Sequence, residues 1–208
     1  MRIAVLLLLA CLLTGCGSPQ ETDIQRSPAP RIVSESPKET PSEEPSTEPA
    51  SPQEEEQPPQ PVVLSVFSTP ILNQEENHFV NLQLACQAIN GMVLEPGATF
   101  SFNETVGQAS VKRGYRMAPV IVNGKTEQGE GGGVCQVSST LFNAAQAAGM
   151  TVLERHDHGA PVGYVEQGQD AAISYGTYDL RFRNDTQNAV TIYIWVESDR
   201  VTAQINGS

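Results

Sequence analysis

Gly129-Glu130-Gly131-Gly132-Gly133-Val134-Cys135-Gln136-Val137-Ser138-Ser139-Thr140-Leu141 is the stretch around which the chain is organised. Three consecutive glycines leave a backbone free to take positive φ angles and to turn its N–H groups toward one point. Beyond them Val137, Leu141, Ala144, Ala145 and Ala148 recur at helical spacing, and Gly149 stands where a left-handed C-terminal cap is expected. Cys135 therefore falls in the first turn of a helix entered from a glycine loop. Unpaired N–H groups and the helix dipole favour negative charge at that place, which suits a thiolate nucleophile. The plainer alternative is a small buried residue beside a tight turn.

At the other end of the 208 residues, Met1-Arg2 precedes an apolar stretch from Ile3 to Leu13 and then Thr14-Gly15-Cys16. A basic start, a short apolar core and a small residue before the cut describe a secretory signal over residues 1–15, too short to span a bilayer. Leu13-Thr14-Gly15-Cys16 resembles the lipobox of bacterial lipoproteins, which makes Cys16 the candidate lipidation site; Leu8-Leu9-Ala10-Cys11 is a second candidate with a shorter apolar core, and a plain secretory signal is the alternative. Lipid chains on Cys16 would hold the protein to the membrane. Residues 17–62 carry eleven prolines, ten acids and three bases with few aliphatic side chains. Such a stretch cannot bury enough apolar area to offset its ordering entropy, so residues 16–62 are expected to be a disordered tether. The net charge of −12 comes without a basic, aromatic-interleaved patch, and no nucleic acid partner is expected.

The remainder, 63–208, carries a pattern of short elements. Val62 to Ser68 alternates as a strand. Asn73-Gln74-Glu75-Glu76 has the form of a capping box for a helix ending at Asn90-Gly91, with Phe79, Leu82, Cys86 and Ile89 as its buried stripe. Short strands are expected at Met92–Leu94 and Thr99–Phe102 about Glu95-Pro96-Gly97. Asn123-Gly124 marks a tight hairpin after the Ala118–Val122 strand. Met150–Leu153, Ala171–Ser174, Asp179–Arg183, Val190–Val196 and Arg200–Ile205 complete the strands. About eight strands and two main helices predict a single α+β domain with a mostly antiparallel sheet.

The Gly-Gly-Gly-X-Cys-Gln run does not stand alone. With Ile89-Asn90-Gly91, Pro96-Gly97-X-X-Phe100-Ser101-Phe102-Asn103, Val106-Gly107, Gly114-Tyr115, Glu154-Arg155-X-X-His158, Tyr164, Gly168-X-Asp170-Ala171 and Asp179-Leu180-X-Phe182-X-Asn184, it resembles the VanW family of cell-envelope proteins from about Asn73 to Gly207. The family takes its name from glycopeptide-resistance gene clusters, and some members are peptidoglycan L,D-transpeptidases that use the motif cysteine. The resemblance therefore implies a cell-wall enzyme, with vancomycin resistance as a context. It also implies peptidoglycan stem peptides as partners and a place on the outer face of the cytoplasmic membrane, in an organism of Gram-positive type.

On that reading Cys135 is the catalytic nucleophile, and N–H groups of Gly132, Gly133, Val134 and Cys135 form the oxyanion site. His158, in the family motif, is first choice for the base and His156 second, while His78 is expected on the solvent face of the first helix. Asp170 is the candidate that orients the imidazole, or else a turn cap. Arg155 binds a substrate carboxylate or pairs with Glu154 or Asp179. Tyr164 lines the cleft, and Gln136 is a candidate substrate contact. Once Cys11 leaves with the signal and Cys16 carries lipid, only Cys86 and Cys135 remain; core packing for Cys86 is preferred over a disulfide. His-X-His on an irregular stretch is a weak zinc signal, so neither metal nor cofactor is expected, and oligomeric state is left open. A non-catalytic wall-binding or accessory protein is the alternative.

Overall fold

The computed structural model describes residues 61–208 apart from Asn123. The expected signal, Cys16 and the tether as far as residue 60 lie outside the described residues; at the tether's expected end Val62 already belongs to a strand. Element order is β1 (Val62–Pro70), α1 (Glu76–Ile89), β2 (Met92–Leu94), β3 (Thr99–Ser101), α2 (Phe102–Val106), a 3-10 turn at Val111–Arg113, β4 (Met117–Val122), β5 (Lys125–Glu130), α3 (Val134–Ala147), β6 (Thr151–Glu154), β7 (Arg181–Arg183), β8 (Val190–Val196) and β9 (Arg200–Gly207). The domain is α+β and every strand pairing is antiparallel.

Four strands form the main sheet in the order β1-β9-β8-β2. Strand alternation sends Ile192, Ile194, Val201, Ala203 and Ile205 to one face, where they are buried, and leaves Val66, Val93, Tyr193 and Trp195 exposed on the other. The α1 and α3 helices pack together on the buried face, α3 over β1 and β9 and α1 over β8. The stripe read from the sequence sits there: Leu82, Cys86 and Ile89 are buried, and Phe79 is partly so. A three-stranded sheet, β3-β7-β6, closes the core with Phe100 stacked on Phe182 at 4.7 Å. The third sheet is the β4–β5 hairpin, in which Val122 pairs with Lys125 about the expected two-residue turn.

Four local expectations need correction. The α1 N-cap is Glu75 and makes no side-chain cap bond. Asn73 Oδ1 instead accepts from Glu75 N at 3.0 Å, a turn before the helix rather than a box on it. Secondly, the strand expected over Asp179–Arg183 is shorter, Arg181–Arg183, and leaves Asp179 outside it. Thirdly, Phe102 starts the short helix α2 rather than ending a strand. Ser101 Oγ accepts from Glu104 N, and the Asp179 carboxylate accepts from Ser101 Oγ at 2.6 Å and from Asn103 N at 2.8 Å. Asp179 is thus committed to α2. Lastly, Ala171–Ser174 is no strand; apart from a bridge between Ser174 and Tyr178, its backbone is bonded elsewhere.

Its partner is α3, a helix buried on nearly every side. Cys135, Ser139 and Asn143 recur every fourth residue along it and meet Ile173, Ala171 and Gln169 in turn. Ile173 N approaches Cys135 Sγ at 3.4 Å, Ser139 Oγ accepts from Ala171 N at 2.9 Å, and Asn143 Nδ2 donates to Gln169 O at 2.7 Å. Ser138 Oγ adds a bond to Ala171 O at 2.5 Å. The two periods match because four helical residues advance about 6 Å and two extended residues about 6.6 Å.

Candidate active site

The glycine loop reaches α3 through a tight fit. A Cβ at Gly132 would lie 2.5 Å from Pro119 O and 2.7 Å from the Ala118 carbonyl, so only glycine allows the loop to lie on β4. Gly133, at φ +110, is the α3 N-cap and needs the left-handed freedom that only glycine has at no cost. Val134 N bonds Gly131 O and Gln136 N bonds Gly133 O. Among the described residues the N–H groups of Gly132, Gly133 and Cys135 have no hydrogen-bond partner. Of the four expected oxyanion donors, Val134 is therefore already engaged and the other three are free.

Cys135 is a free thiol and is partly exposed, with Sγ 3.7 Å from Ile173 O and 3.4 Å from Ile173 N. His158 stands beside it. The imidazole Nδ1 is 2.6 Å from Asp170 Oδ2, and the same oxygen accepts from His158 N at 2.8 Å. These two bonds fix the ring, and a carboxylate partner calls for the proton on Nδ1, so that Nε2 is the nitrogen left without a bond to Asp170. Burial lowers the pKa of His158, but contact with Cys135, its charge and the bonds to Asp170 outweigh that and raise it overall. No bond of ordinary geometry yet joins ring and sulfur, the thiol being turned to Ile173; such contacts commonly tighten only with substrate bound.

Asp170 is 5% exposed. Burial raises its pKa, yet the bonds and charge of His158 hold the carboxyl below its usual range. Its second oxygen accepts from Arg155 Nη2 at 2.7 Å, and Arg155 Nε donates to Asp170 O at 2.5 Å. The Arg155 guanidinium also lies 5.5 Å over the Phe142 ring. Arg155 pairs with neither Glu154 nor Asp179 and is committed to Asp170, a partner that charge counting along the chain did not single out.

Other assigned residues fall elsewhere. His156 Nε2 is 3.0 Å from Glu154 Oε1, and its ring stacks on Tyr178 at 4.5 Å, so its bonded nitrogen and its stacked face meet Glu154 and Tyr178 rather than Cys135. Gln136 is 2% exposed; its amide donates to Thr69 Oγ1 at 3.0 Å and Pro70 O at 2.9 Å, joining α3 to β1 rather than facing a cleft. His78 is buried, not solvent-facing. Tyr164 lines a cavity of about 430 Å³ with Phe67, Gly163, Val165, Glu166 and Gln169. Burial pushes its phenol up, the Cys135 charge adding to this and the neighbouring Ser139 hydroxyl opposing it. A second cavity, about 230 Å³, runs past Asp157, Pro161, Glu166 and Asp170. Cys135 itself lines neither cavity; the 157–170 loop that forms both carries His158, Tyr164 and Asp170. Ser139 and Asn143 were missed, although their four-residue spacing from Cys135 along one side of α3 is a readable signal. Among the described residues no group of three His, Cys, Asp or Glu side chains is disposed to hold a metal ion.

Residues 77–206, which contain Cys135, Arg155, His158 and Asp170, match the family model described as VanW like protein. The chain is 44% identical over 120 residues to "Uncharacterized protein YoaR" of Bacillus subtilis (strain 168), covering 58% of this chain and 39% of that one. It is 34% identical over 136 residues to "Vancomycin B-type resistance protein VanW" of Enterococcus faecalis (strain ATCC 700802 / V583), covering 63% and 50%. The match thus spans half or less of the length of these curated relatives. No solved structure matches.

Proposed function

Since this chain belongs to the VanW family, we propose that it is a cysteine acyltransferase of the cell envelope, an L,D-transpeptidase acting on peptidoglycan stem peptides. The observation that carries the reading is the line Cys135–His158–Asp170, in which a thiol, an imidazole and a carboxylate come together from α3 and one loop, the groups that a nucleophile, its base and the base's orienting partner require.

In the proposed reaction the Cys135 thiolate attacks the carbonyl of the third stem residue. The oxyanion is held by the free N–H groups of Gly132, Gly133 and Cys135. His158, protonated and paired with Asp170, gives its proton to the departing D-alanine amine as the C–N bond breaks, and an acyl-thioester remains. A side-chain amine of a neighbouring stem, losing its proton to His158, then displaces the thiolate and leaves a 3→3 cross-link. Water in place of the amine would make the protein an L,D-carboxypeptidase. Lipid on Cys16 would hold the domain at the outer face of the membrane, near that substrate. Remodelled stems also suit the resistance context carried by the name of the Enterococcus relative.

Incubation with disaccharide-tetrapeptide followed by mass spectrometry tests the reading. Cross-linked dimer with loss of D-alanine supports transfer, and tripeptide supports hydrolysis. Unchanged substrate with no thioester on Cys135 refutes chemistry and leaves a wall-binding or accessory protein.

A further inference from the structure

One short run of α1 carries the glycine loop. Asn81 is fully buried; its Nδ2 donates to Arg116 O at 3.0 Å and Gly132 O at 2.9 Å, and its Oδ1 accepts from Arg116 N at 2.7 Å. One turn earlier, Asn77 Nδ2 donates to Met117 O at 3.0 Å. Beside them His78 is 8% exposed and its ring lies directly on Gly133: a Cβ there would fall 2.9 Å from Cε1, 3.1 Å from Nδ1 and 3.3 Å from Nε2. Among the described residues neither ring nitrogen has a hydrogen-bond partner. The Gln136 side chain approaches the ring without completing a bond of normal geometry.

A residue that only fills space here has no reason to be histidine. Burial lowers the pKa of His78, the neighbouring Gln136 and Glu75 working the other way. The neutral ring then carries one N–H and one lone pair, and a buried polar group left unpaired costs on the order of 1–3 kcal/mol. An aliphatic side chain of similar bulk would avoid that cost. Such a local conflict is expected where function, not packing, sets the residue. Gly133 and Gln136, which the ring touches or approaches, flank Cys135 on the two sides.

We infer that His78 is a positioning residue for acyl transfer at Cys135: its imidazole, wedged between Gly133 and Gln136, holds the first turn of α3 in the shape that offers the free Gly133 and Cys135 N–H groups to an oxyanion. This rests on the acyl-transfer reading above. The ring acts through the backbone and meets no substrate atom.

The test compares wild type, His78→Leu and His78→Gln in the full chain. Three quantities are read: acyl-thioester formation from disaccharide-tetrapeptide, alkylation of Cys135 by iodoacetamide, and hydrogen exchange at the Val134 and Gln136 amides, whose bonds to Gly131 O and Gly133 O close the first turn of α3. Loss of one oxyanion donor lowers turnover about 10²–10³-fold, and displacing donors without removing them should cost His78→Leu about 10–100-fold in kcat. KM should stay within about two-fold, alkylation should be unchanged, and thermal stability equal or higher, because the unpaired imidazole is gone. His78→Gln should recover part of kcat. Wild-type kcat in His78→Leu, or a raised KM alone, overturns the inference. If wild type forms no thioester, the acyl-transfer reading fails by itself and exchange decides this one. At least about ten-fold faster exchange at Val134 and Gln136, with β8 unchanged, upholds positioning; equal rates overturn it. Should His78→Leu fail to fold, the same measurements on His78→Gln decide, with reduced kcat or faster exchange expected.

Discussion

Replacing Asp170 by asparagine probes the arrangement at its most loaded point. The carboxylate takes bonds of 2.6 and 2.8 Å from His158 and 2.7 Å from Arg155. An amide keeps one acceptor and turns an NH2 group toward donors. Breaking a buried ion pair by removing one member costs about 3–5 kcal/mol. Arg155 retains its bond to Asp170 O and its side chain is 22% exposed, so the lower end, about 3 kcal/mol, is expected. The effect on chemistry should be larger: asparagine in place of the orienting aspartate of a triad lowers turnover about 10⁴-fold by favouring the wrong tautomer. The pH dependence has a worked sign. Asp170, held below its usual range, stabilises the fold fully above the unfolded value of about 3.9, and this is lost as pH falls through the lower folded value. His158, raised, contributes fully below about 6.5, and this is lost as pH rises through its higher folded value. Urea denaturation of wild type and Asp170→Asn should therefore differ most near pH 5, and less at pH 3 and above pH 8. A gap below about 1 kcal/mol at pH 5, or thioester formation within about three-fold of wild type, would refute the reasoning.

Cys86 is 3% exposed and burial pushes its thiol up to about 12. Native alkylation at pH 8 followed by peptide mapping should therefore label Cys135 and spare Cys86, and equal labelling would contradict the packing described for α1. Gly132→Ala should lower stability by about 2–3 kcal/mol, because the new methyl meets the Pro119 and Ala118 carbonyls; an unchanged melting temperature would mean that the loop sits differently. Ser139→Ala leaves Ala171 N without its acceptor. It should cost about 1–3 kcal/mol and raise hydrogen exchange at Ala171 and Ile173, whereas protection equal to wild type would show the segment is held by other means.

How much of this was legible in the chain depended on whether a signal was local. The periodicity of α3 and the stripe of α1 were readable because apolar residues recur at helical spacing in each. Asn123-Gly124 was readable because two residues specify that turn. Ala171–Ser174 was misread since an apolar run looks the same whether its backbone bonds a neighbouring strand or the serines of a helix. The buried face of His78 was hidden for a similar reason: a glycine loop 55 residues away supplies the covering surface. Which histidine meets the thiol followed from the resemblance rather than from spacing. That Arg155 is tied to Asp170, and Gln136 to β1, required the folded chain.

The side chains that fasten residues 169–173 to α3 also have a mechanical consequence. Cys135 and Asp170 hang from opposite ends of that single seam, so neither can drift while the other stays in register. Prising the seam open would disconnect both at once, and loss of competence on warming should arrive as a step rather than a slow decline.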